Sequence, residues 1–305
     1  MKVAVFGGTG FLGQRIVERL LDKGFEVRAV SRHARRAITA VGSEAKAPDQ
    51  VKADILDRSS IGPAIAGSDA VVNAVSLYVE HGDLTFERMH VTAAADLASA
   101  ARQAGVERLV HISGIGADPR SASRYIKARG RGEDAVRNSF PDMIVLRSAV
   151  MIGPGDAFLT TLVRLVRLLP VYPLFGQGAT RLQPVYVGDV AEAVSRLLAD
   201  PIQDVSTFEV GGPRILRYRE LVREIARTIG VHPILVPMPF AAWSALALAA
   251  EFLPTPPFTR NQIDLMRQDN VTTAGMPGLP ELGIEPRDIE QVIRMIDGTG
   301  IKTRA

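Results

Sequence analysis

Short apolar runs alternate with amphipathic stretches along the first half of the chain. Val3 to Phe6 predicts a strand, and Phe11 to Asp22 predicts an amphipathic helix that ends before Gly24. Further strands are predicted at Glu26–Ser31, Val51–Ala53, Ala70–Ala74, Arg108–Ile112 and Met143–Arg147, with helices at Ser60–Ala66 and Thr85–Gln103. Such alternation is typical of a doubly wound parallel sheet. We therefore predict an α/β fold of the Rossmann type.

The pattern becomes less regular after about Met151. Turn residues interrupt it at Pro154-Gly155, Pro170, Pro173 and Gly176–Gly178, and helices are predicted at Asp189–Ala199, Tyr218–Thr228 and Pro239–Phe252. We expect a Rossmann domain over residues 1–150 and a smaller, mostly helical lobe over residues 151–305, with some segments of this lobe returning to the sheet. The lobe is expected over the carboxyl edge of the sheet, where such folds bind ligands.

A glycine-rich turn joins the first strand to the first helix with the spacing G-x-x-G-x-x-G. Glycine lets the chain turn sharply and brings backbone amides close to a pyrophosphate, which the amino end of the helix also attracts. An ordinary strand-to-helix turn is the alternative. The position of this turn between a strand and an amphipathic helix favours a dinucleotide site. Its predicted members are Gly7, Thr9, Gly10, Phe11, Leu12 and Gly13.

The end of the second strand indicates which dinucleotide is bound. A site for NAD usually places an acidic residue there, where it binds the ribose 2′-hydroxyl. Here Ser31 and Arg32 end the strand, and no carboxylate is in reach after Glu26. Ser31 can donate a hydrogen bond and Arg32 can pair with a 2′-phosphate. The alternative is that Arg32 and the arginines after it form a solvated helix start. We predict NADP(H), with NAD(H) as the second choice.

Two later strand ends supply further candidate cofactor contacts. Asp54, followed by Ile55, ends the third strand, and its carboxylate suits the adenine amino group. Asn73, Ala74 and Val75 come at the end of the fourth strand, where small residues let the backbone pass close to a cofactor. An ordinary strand-end turn is the alternative at both places.

Composition narrows the class of protein. The 305 residues are 47% hydrophobic and 23% charged, as in globular proteins with a substantial core. A net charge of +3 gives no case for a nucleic acid partner, and the absence of cysteine excludes disulfides and thiolate metal sites, so we expect no metal. The longest uncharged stretch, Pro233–Ala250, is broken by prolines and is too short to span a bilayer. We expect a cytoplasmic protein, with peripheral binding to the cytoplasmic membrane as the alternative.

Several blocks of residues carry a resemblance to known proteins. They are Gly7–Gly13, Asp54, Ser113, Ser121–Tyr125, Val145–Arg147, Ile152–Asp156, Gln183–Val190, Thr259–Gln262 and Asp269–Val271. With these blocks the chain resembles, over nearly its whole length, the extended short-chain dehydrogenase/reductase superfamily of NAD-dependent epimerases and dehydratases. Within it, the chain resembles the atypical branch that contains the NADPH-binding accessory subunit of respiratory complex I and its bacterial relatives. The resemblance implies a bound dinucleotide and a respiratory-complex or membrane-protein partner.

Active members of that superfamily use Tyr-x-x-x-Lys on a helix. By this resemblance Tyr125 is the acid/base group and a cofactor contact, but Arg129 stands at the lysine position. An arginine four residues on lies on the same helix face and lowers the pKa of a tyrosine by its charge. The exchange is not conservative, however, because a guanidinium is bulkier and forked.

The partner hydroxyl of such a tyrosine is also altered. Ser113 ends the fifth strand, whereas in the epimerases the catalytic hydroxyl comes nearer to Gly114 or Ile115. Ser113 is therefore a candidate for catalysis, for the cofactor or for a strand cap. His90 stands where the family often has asparagine, and we expect it to pack against the sheet. These departures beside an intact glycine turn favour bound nucleotide without efficient turnover.

Two apolar segments stand out in the second half. Phe158–Phe175 carries Arg164 and Arg167, and Phe240–Ala250 carries Trp243 without any charge. They are interpreted either as the core of the lobe or as a surface against a membrane or a membrane protein.

Two functions remain open: an NADP(H)-binding accessory or assembly protein of a respiratory NADH:quinone oxidoreductase, or an active NADP-dependent oxidoreductase, epimerase or dehydratase that uses Tyr125.

Overall fold

The computed structural model of the chain describes residues 1–32, 47–200, 202, 204–250 and 260–298, with backbone only at 249–250 and 260–262. The arginines after Arg32, the predicted helix end at Phe252 and the Thr259 motif position lie outside the described residues. The chain divides into two compact units. Unit 1 consists of Met1–Ser148, Val187–Val210 and Ala274–Ile284, and unit 2 of Ala149–Tyr186, Gly211–Thr273 and Glu285–Ala305.

The secondary structure follows in chain order. The strands are β1 (Lys2–Phe6), β2 (Glu26–Ser31), β3 (Asp49–Lys52), β4 (Ala70–Asn73), β5 (Arg108–Gly114), β6 (Ile144–Ser148), β7 (Met151–Ile152), β8 (Val171–Phe175), β9 (Arg181–Leu182), β10 (Val185–Tyr186), β11 (Thr207–Val210), β12 (Leu216–Arg217) and β13 (Ile234–Met238). The helices are α1 (Phe11–Asp22), α2 (Arg58–Ile65), α3 (Ala93–Gln103), α4 (Arg124–Ser139), α5 (Phe158–Leu168), α6 (Val187–Ala199), α7 (Tyr218–Thr228), α8 (Phe240–Ala250), α9 (Arg260–Leu265) and α10 (Ile289–Gly298). A π-helical turn, Glu87–Thr92, leads directly into α3.

A parallel sheet forms the centre of unit 1. Within the described ranges it has seven strands in the order β3-β2-β1-β4-β5-β6-β11. The order reverses between β1 and β4, and doubly wound sheets bind ligands at such a point, beyond the carboxyl ends of the strands. Helix α1 buries Leu12, Ile16 and Leu20, whose spacing places them on one face. The Rossmann-type fold predicted from the sequence is confirmed.

Three features of unit 1 differ from the sequence prediction. Strand β3 ends at Lys52, so Asp54 lies in the turn beyond it and does not end the strand. The helix predicted from Thr85 begins with the π-helical turn. Strand β11, which the sequence analysis did not predict, joins the sheet from the part of the chain assigned to the second lobe, of which some segments were expected to return to the sheet. Helix α6 is joined to α1 by the ion pair between Glu192 and Arg19.

Unit 2 combines helices with short strand pairs. In its described part, β7 pairs with β10, β9 with β12, and β8 with β13. Helices α5, α7 and α10 enclose a core to which Val163, Leu221 and Val292 belong. The hydroxyls of Tyr172 and Tyr218 form a buried hydrogen bond of 2.8 Å inside this core.

Three motif residues of unit 2 hold loops together. Asp156 accepts hydrogen bonds from the amides of Gly153 and Leu159, so it closes the turn before α5. Burial raises the pKa of Asp156. The Gln183 amide group donates to the carbonyl oxygen of Gly212 (2.9 Å) and accepts from the amide of Thr272 (2.9 Å). Asn270 accepts from the amide of Val150 at 2.7 Å. These contacts explain the polar residue types at these positions by loop geometry alone.

Candidate functional site

The turn after β1 lets α1 approach the strand closely. Gly7 has a φ of 79°, which favours glycine, and it lies against the backbone of Ala74, whose oxygen a side chain would meet at 3.0 Å. A β-carbon at Gly13 would lie 2.0 Å from the carbonyl oxygen of Gly7. Gly10 is the N-cap of α1, and no side chain caps the first turn of the helix. This cradle fits a pyrophosphate bound by backbone amides.

The side chains between these glycines have different environments. Thr9 and Phe11 are half-buried, whereas Leu12 belongs to the buried face of α1. The carbonyl oxygen of Thr9 accepts a hydrogen bond from the amide group of Gln14 at 3.1 Å. Contacts of these residues with a nucleotide therefore stay predictions, and for Leu12 they would come from the backbone.

The ends of β2 and β3 place two cations beside a hydroxyl. Ser31 pairs with Lys52 in the parallel register, so both side chains lie on the same face at the carboxyl edge of the sheet. The Ser31 hydroxyl is buried and has no hydrogen-bond partner in the described part of the chain. Arg32 and Lys52 are exposed. Sequence reasoning missed Lys52, because its position beside Ser31 follows only from the strand register.

The two other predicted strand ends are shaped by their own polar side chains. Asp54 accepts a hydrogen bond from the amide of Leu56 at 3.0 Å, while Ile55 is buried in the core. Asn73 is buried, donates to Nδ1 of His111 (3.3 Å) and accepts from the amide of Val75 (3.2 Å). Asn73 thus fixes the turn that carries Ala74 past Gly7, and its own amide group is already bonded.

Tyr125 lies at the start of α4 inside a group of aromatic rings. Only 7% of its surface is exposed. The ring of Tyr78 stacks on it at 5.7 Å between centroids, and Phe86 and His90 meet it edge-on at 5.4 and 5.6 Å. The neighbouring Tyr125 hydroxyl raises the pKa of Tyr78. Sequence reasoning missed Tyr78 and Phe86, which no motif marks.

Arg129 lies one turn further along α4 and is 5% exposed. Its guanidinium carbon is 5.8 Å from the centre of the Tyr125 ring, and its Nη1 donates to Nδ1 of His90 at 3.4 Å. The other nitrogen of His90 donates to the carbonyl oxygen of Leu77 at 3.0 Å, which is consistent with a neutral imidazole. The structure therefore brings Tyr125 and Arg129 together, as predicted, and adds His90.

Small residues let α4 come this close to the π-helical turn. A β-carbon at Gly132 would lie 2.1 Å from the carbonyl oxygen of His90, and one at Gly130 would lie 2.4 Å from the backbone nitrogen of Pro119. The turn widens the helix where His90 points toward α4, and such turns are frequent at functional sites. The position of His90 beside Arg129 thus depends on Gly132, while Gly130 lets the same helix approach the loop at Pro119.

Ser113 has a partner other than Tyr125. Its buried hydroxyl donates to Oε1 of Glu133 at 2.5 Å. Glu133 also receives two nitrogens of Arg147, Nε at 3.0 Å and Nη2 at 2.7 Å, and Arg147 reaches Glu209 at 3.4 Å. Burying charged groups is favourable only when they are paired in this way. Ser113 is therefore part of a buried ionic network, and its catalytic or cofactor contact stays a prediction.

The comparisons with known proteins agree with this architecture. The sequence pattern of the NAD(P)H-binding family matches residues 7–201. The chain belongs to the NAD(P)H-binding family. It is 31% identical over 300 residues to "NADH dehydrogenase [ubiquinone] 1 alpha subcomplex subunit 9, mitochondrial" of Arabidopsis thaliana, with 94% of this chain and 74% of that protein covered. The predicted resemblance to a subunit of a respiratory NADH dehydrogenase is confirmed.

One further relative of this NAD(P)H-binding chain and one solved structure of similar fold are enzymes by name. It is 28% identical over 239 residues to the ceramide reductase of Caulobacter vibrioides, with 78% of this chain and 73% of that protein covered. The structure of the UDP-glucose 4-epimerase of Thermus thermophilus in complex with NAD matches with a TM-score of 0.71 and 24% identity, covering 97% of this chain and 98% of that one. The structural match shows the fold alone.

Among the described residues, no helix of this family member is both long enough and apolar enough to cross a membrane.

The histidines near Arg129 predict a pH dependence of stability. Burial, followed by the charge of Arg129, lowers the pKa of His90 and of His111 to about 3. Because the unfolded chain has histidine pKa values near about 6.5, it binds more protons than the folded chain between these values. Each histidine should therefore cost up to about 1.4 kcal/mol of unfolding free energy per pH unit as pH falls from about 6.5 toward 3.

Urea unfolding between pH 4 and 7.5 measures this slope. His90→Asn removes one titrating group. The plot of unfolding free energy against pH should therefore lose the contribution of about one proton, which is up to about 1.4 kcal/mol per pH unit. His232→Asn, at an exposed position in unit 2, is the matched control and should leave the slope as in the wild type. Equal slopes for the wild type and His90→Asn would contradict the assignment of a neutral buried imidazole.

Proposed function

We propose that the protein is an NADP(H)-binding accessory or assembly protein of a respiratory NADH:quinone oxidoreductase, in which the nucleotide is a structural ligand. The observation that carries this proposal is an intact glycine cradle beside a reacting centre that lacks its usual hydroxyl. Gly7 and Gly13 let the start of α1 pack closely on the end of β1, and no side chain caps the first turn of that helix, whose backbone amides suit a pyrophosphate. Residue 114 has no side chain, and the Ser113 hydroxyl is bonded to Glu133.

The environment of Tyr125 also supports a structural nucleotide. NADPH supplies a hydride when a second reactant is bound beside it. A tyrosine that passes a proton to that reactant needs to reach it within hydrogen-bond distance. Tyr125 is instead enclosed by Tyr78, Phe86 and His90, with little exposed surface.

The preference for NADP(H) over NAD(H) rests on the ends of β2 and β3. Ser31 provides a buried hydroxyl without a partner among the described residues, and Arg32 and Lys52 provide exposed positive charges. A phosphate on the ribose 2′-oxygen gives these groups a charge-assisted partner, whereas a 2′-hydroxyl does not. The chain ends β2 without a carboxylate, which is the group that NAD sites use.

Cofactor choice can be measured by titrating the protein with NADPH and NADH. The wild type should bind NADPH more tightly. Arg32→Ala and Lys52→Ala should each narrow the preference by about tenfold, since a charge-assisted hydrogen bond contributes about 1.5 to 3 kcal/mol. Lys23→Ala, at the exposed carboxyl end of α1, is the control and should change neither affinity. Equal affinities of the wild type for the two nucleotides would overturn the choice of NADP(H).

The proposed partner rests on the mitochondrial relative named above and on an exposed apolar face of unit 2. This face consists of Leu168, Val171, Ile234 and Val236, which are 57%, 49%, 65% and 43% exposed. In the paired strands β8 and β13, Val171 lies directly beside Ile234. The predicted core role of the two apolar segments holds for one face of each, since Val163 of α5 and Trp243 of α8 are buried. Exposed apolar clusters mark contacts with proteins or membranes.

Association with respiratory membranes tests the accessory role. Tagged wild-type protein, expressed in its own host, should co-purify with detergent-solubilised NADH:quinone oxidoreductase. Ile234→Asp should abolish co-purification and leave NADPH affinity unchanged, because it alters the apolar face alone. Ile215→Asp is the matched control, since Ile215 is 52% exposed in the same unit. A wild-type protein that never associates with the complex would refute the accessory role.

We propose that the protein lies at the cytoplasmic side of the respiratory membrane as a peripheral protein.

The second candidate is an active NADP-dependent oxidoreductase, epimerase or dehydratase with Tyr125 as acid/base group and Arg129 as its electrostatic partner. Two observations favour it: the similarity to a bacterial ceramide reductase, and the 5.8 Å separation between the guanidinium and the Tyr125 ring. NADPH oxidation with aldehydes and quinones separates an active oxidoreductase from the accessory role, whereas an epimerase or dehydratase regenerates its cofactor and is assayed by conversion of its substrate. The accessory role predicts that the wild type oxidises NADPH no faster than Tyr125→Phe does. An active site predicts that Tyr125→Phe lowers the rate by about 10² to 10⁴.

A further inference from the structure

Arg129 carries a buried positive charge without a partner of opposite charge among the described residues. Its side chain is 5% exposed, and its Nε has no hydrogen-bond partner within the same ranges. The nearest basic partner, Nδ1 of His90, accepts one hydrogen bond from Nη1 and stays neutral. Glu133, one turn further on the same helix, has its carboxylate bonded to Ser113 and Arg147. An unpaired buried charge costs several kcal/mol in general, so the site is incomplete as it stands.

The Nε and Nη2 edge of this guanidinium faces Gly114 at the end of β5. A β-carbon at Gly114 would lie 3.8 Å from both Nε and Nη2. These two nitrogens form the edge with which arginine makes paired hydrogen bonds to an oxyanion. Because residue 114 is glycine, it places no side chain of its own in front of that edge. Nη1, on the other side, is already directed at His90.

The described surroundings of Arg129 do not supply the missing negative charge. Burial and the charge of Arg129 itself lower the pKa of His90 and of His111 to about 3, so both are neutral near pH 7. Tyr125 offers the face of its ring, which attracts a cation weakly. A ligand that carries a negatively charged oxygen would therefore neutralise the buried positive charge of Arg129.

We propose that the Nε and Nη2 edge of Arg129 binds an oxyanion, a phosphate or carboxylate group, in the space left by Gly114. Two sources present this chemistry: the phosphates of the bound dinucleotide, or a second small molecule that carries a carboxylate or phosphate. In the first case the inference rests on the proposed nucleotide binding. In the second it identifies the class of molecule that would bind beside Tyr125.

The first experiment compares Arg129→Met with the wild type in ligand-free stability and in NADPH affinity. Removing an unpaired buried cation should leave the melting temperature of the ligand-free protein unchanged or raise it. If the oxyanion belongs to the dinucleotide, NADPH affinity should fall at least about tenfold. Lys127→Met, at an exposed position of the same helix, is the control and should alter neither quantity.

The second experiment addresses a separate small molecule. NADPH-saturated protein is titrated with sodium phosphate and with sodium acetate, and its melting temperature is compared with that in sodium chloride at equal ionic strength. If the oxyanion comes from a second molecule, phosphate or acetate should stabilise the wild type, and Arg129→Met should lose that shift while keeping its NADPH affinity. A wild type that fails to bind NADPH refutes the proposed function, and the same titrations on nucleotide-free protein then test the oxyanion site separately.

Gly114→Ala serves as a second variant. Its added methyl group would meet the guanidinium at an ordinary contact distance of 3.8 Å, so the fold should be retained. The methyl group fills the proposed space. Gly114→Ala should therefore weaken binding of the same ligand whose binding Arg129→Met weakens. The inference is overturned if Arg129→Met lowers the ligand-free melting temperature. It is also overturned if NADPH affinity and the anion-dependent shift of the melting temperature are both unchanged in Arg129→Met and in Gly114→Ala.

Discussion

Helix α1 lies against the end of β1 at a distance that no β-carbon at position 13 permits. The 2.0 Å separation between that hypothetical atom and the carbonyl oxygen of Gly7 is far inside van der Waals contact, and both groups belong to the backbone, so neither can rotate away. This contact sets the angle at which the helix amino end faces the edge of the sheet. The position of the nucleotide cradle, and of the turn at Ala74 that touches Gly7, depends on it.

A second constraint acts at the other side of the switch point between β1 and β4. Two arginines of unit 1 have different electrostatic surroundings. Arg147 is neutralised by Glu133 and Glu209, whereas Arg129 is bonded only to a neutral histidine in the described part of the chain. Arg147 and its two carboxylates stabilise the junction of β5, β6, β11 and α4 without a ligand. Arg129 gains a partner of opposite charge only when a negatively charged ligand binds. We therefore regard Arg129 as a functional residue, although it departs from the superfamily lysine.

Local sequence signals predicted the features that depend on neighbouring residues. The glycine turn, α1, β2 and most strands of the sheet follow from apolar periodicity and from Gly7 to Gly13. Features that depend on distant contacts were missed. Lys52 joins Ser31 only through strand register, and Tyr78 reaches Tyr125 only through the loop after β4. The bond between Ser113 and Glu133 links residues that are 20 positions apart, so the serine could not be assigned from its place at a strand end.

The central claim is that the cradle and the ends of β2 and β3 hold NADP(H) as a tightly bound ligand. The most direct test is to purify the protein without added nucleotide, denature it, and identify the released nucleotide by chromatography and mass spectrometry. We expect release of NADP⁺ or NADPH at close to one molecule per chain. Release of NAD⁺ or NADH in its place, or of no nucleotide from a protein that also fails to bind added NADPH, would contradict the claim.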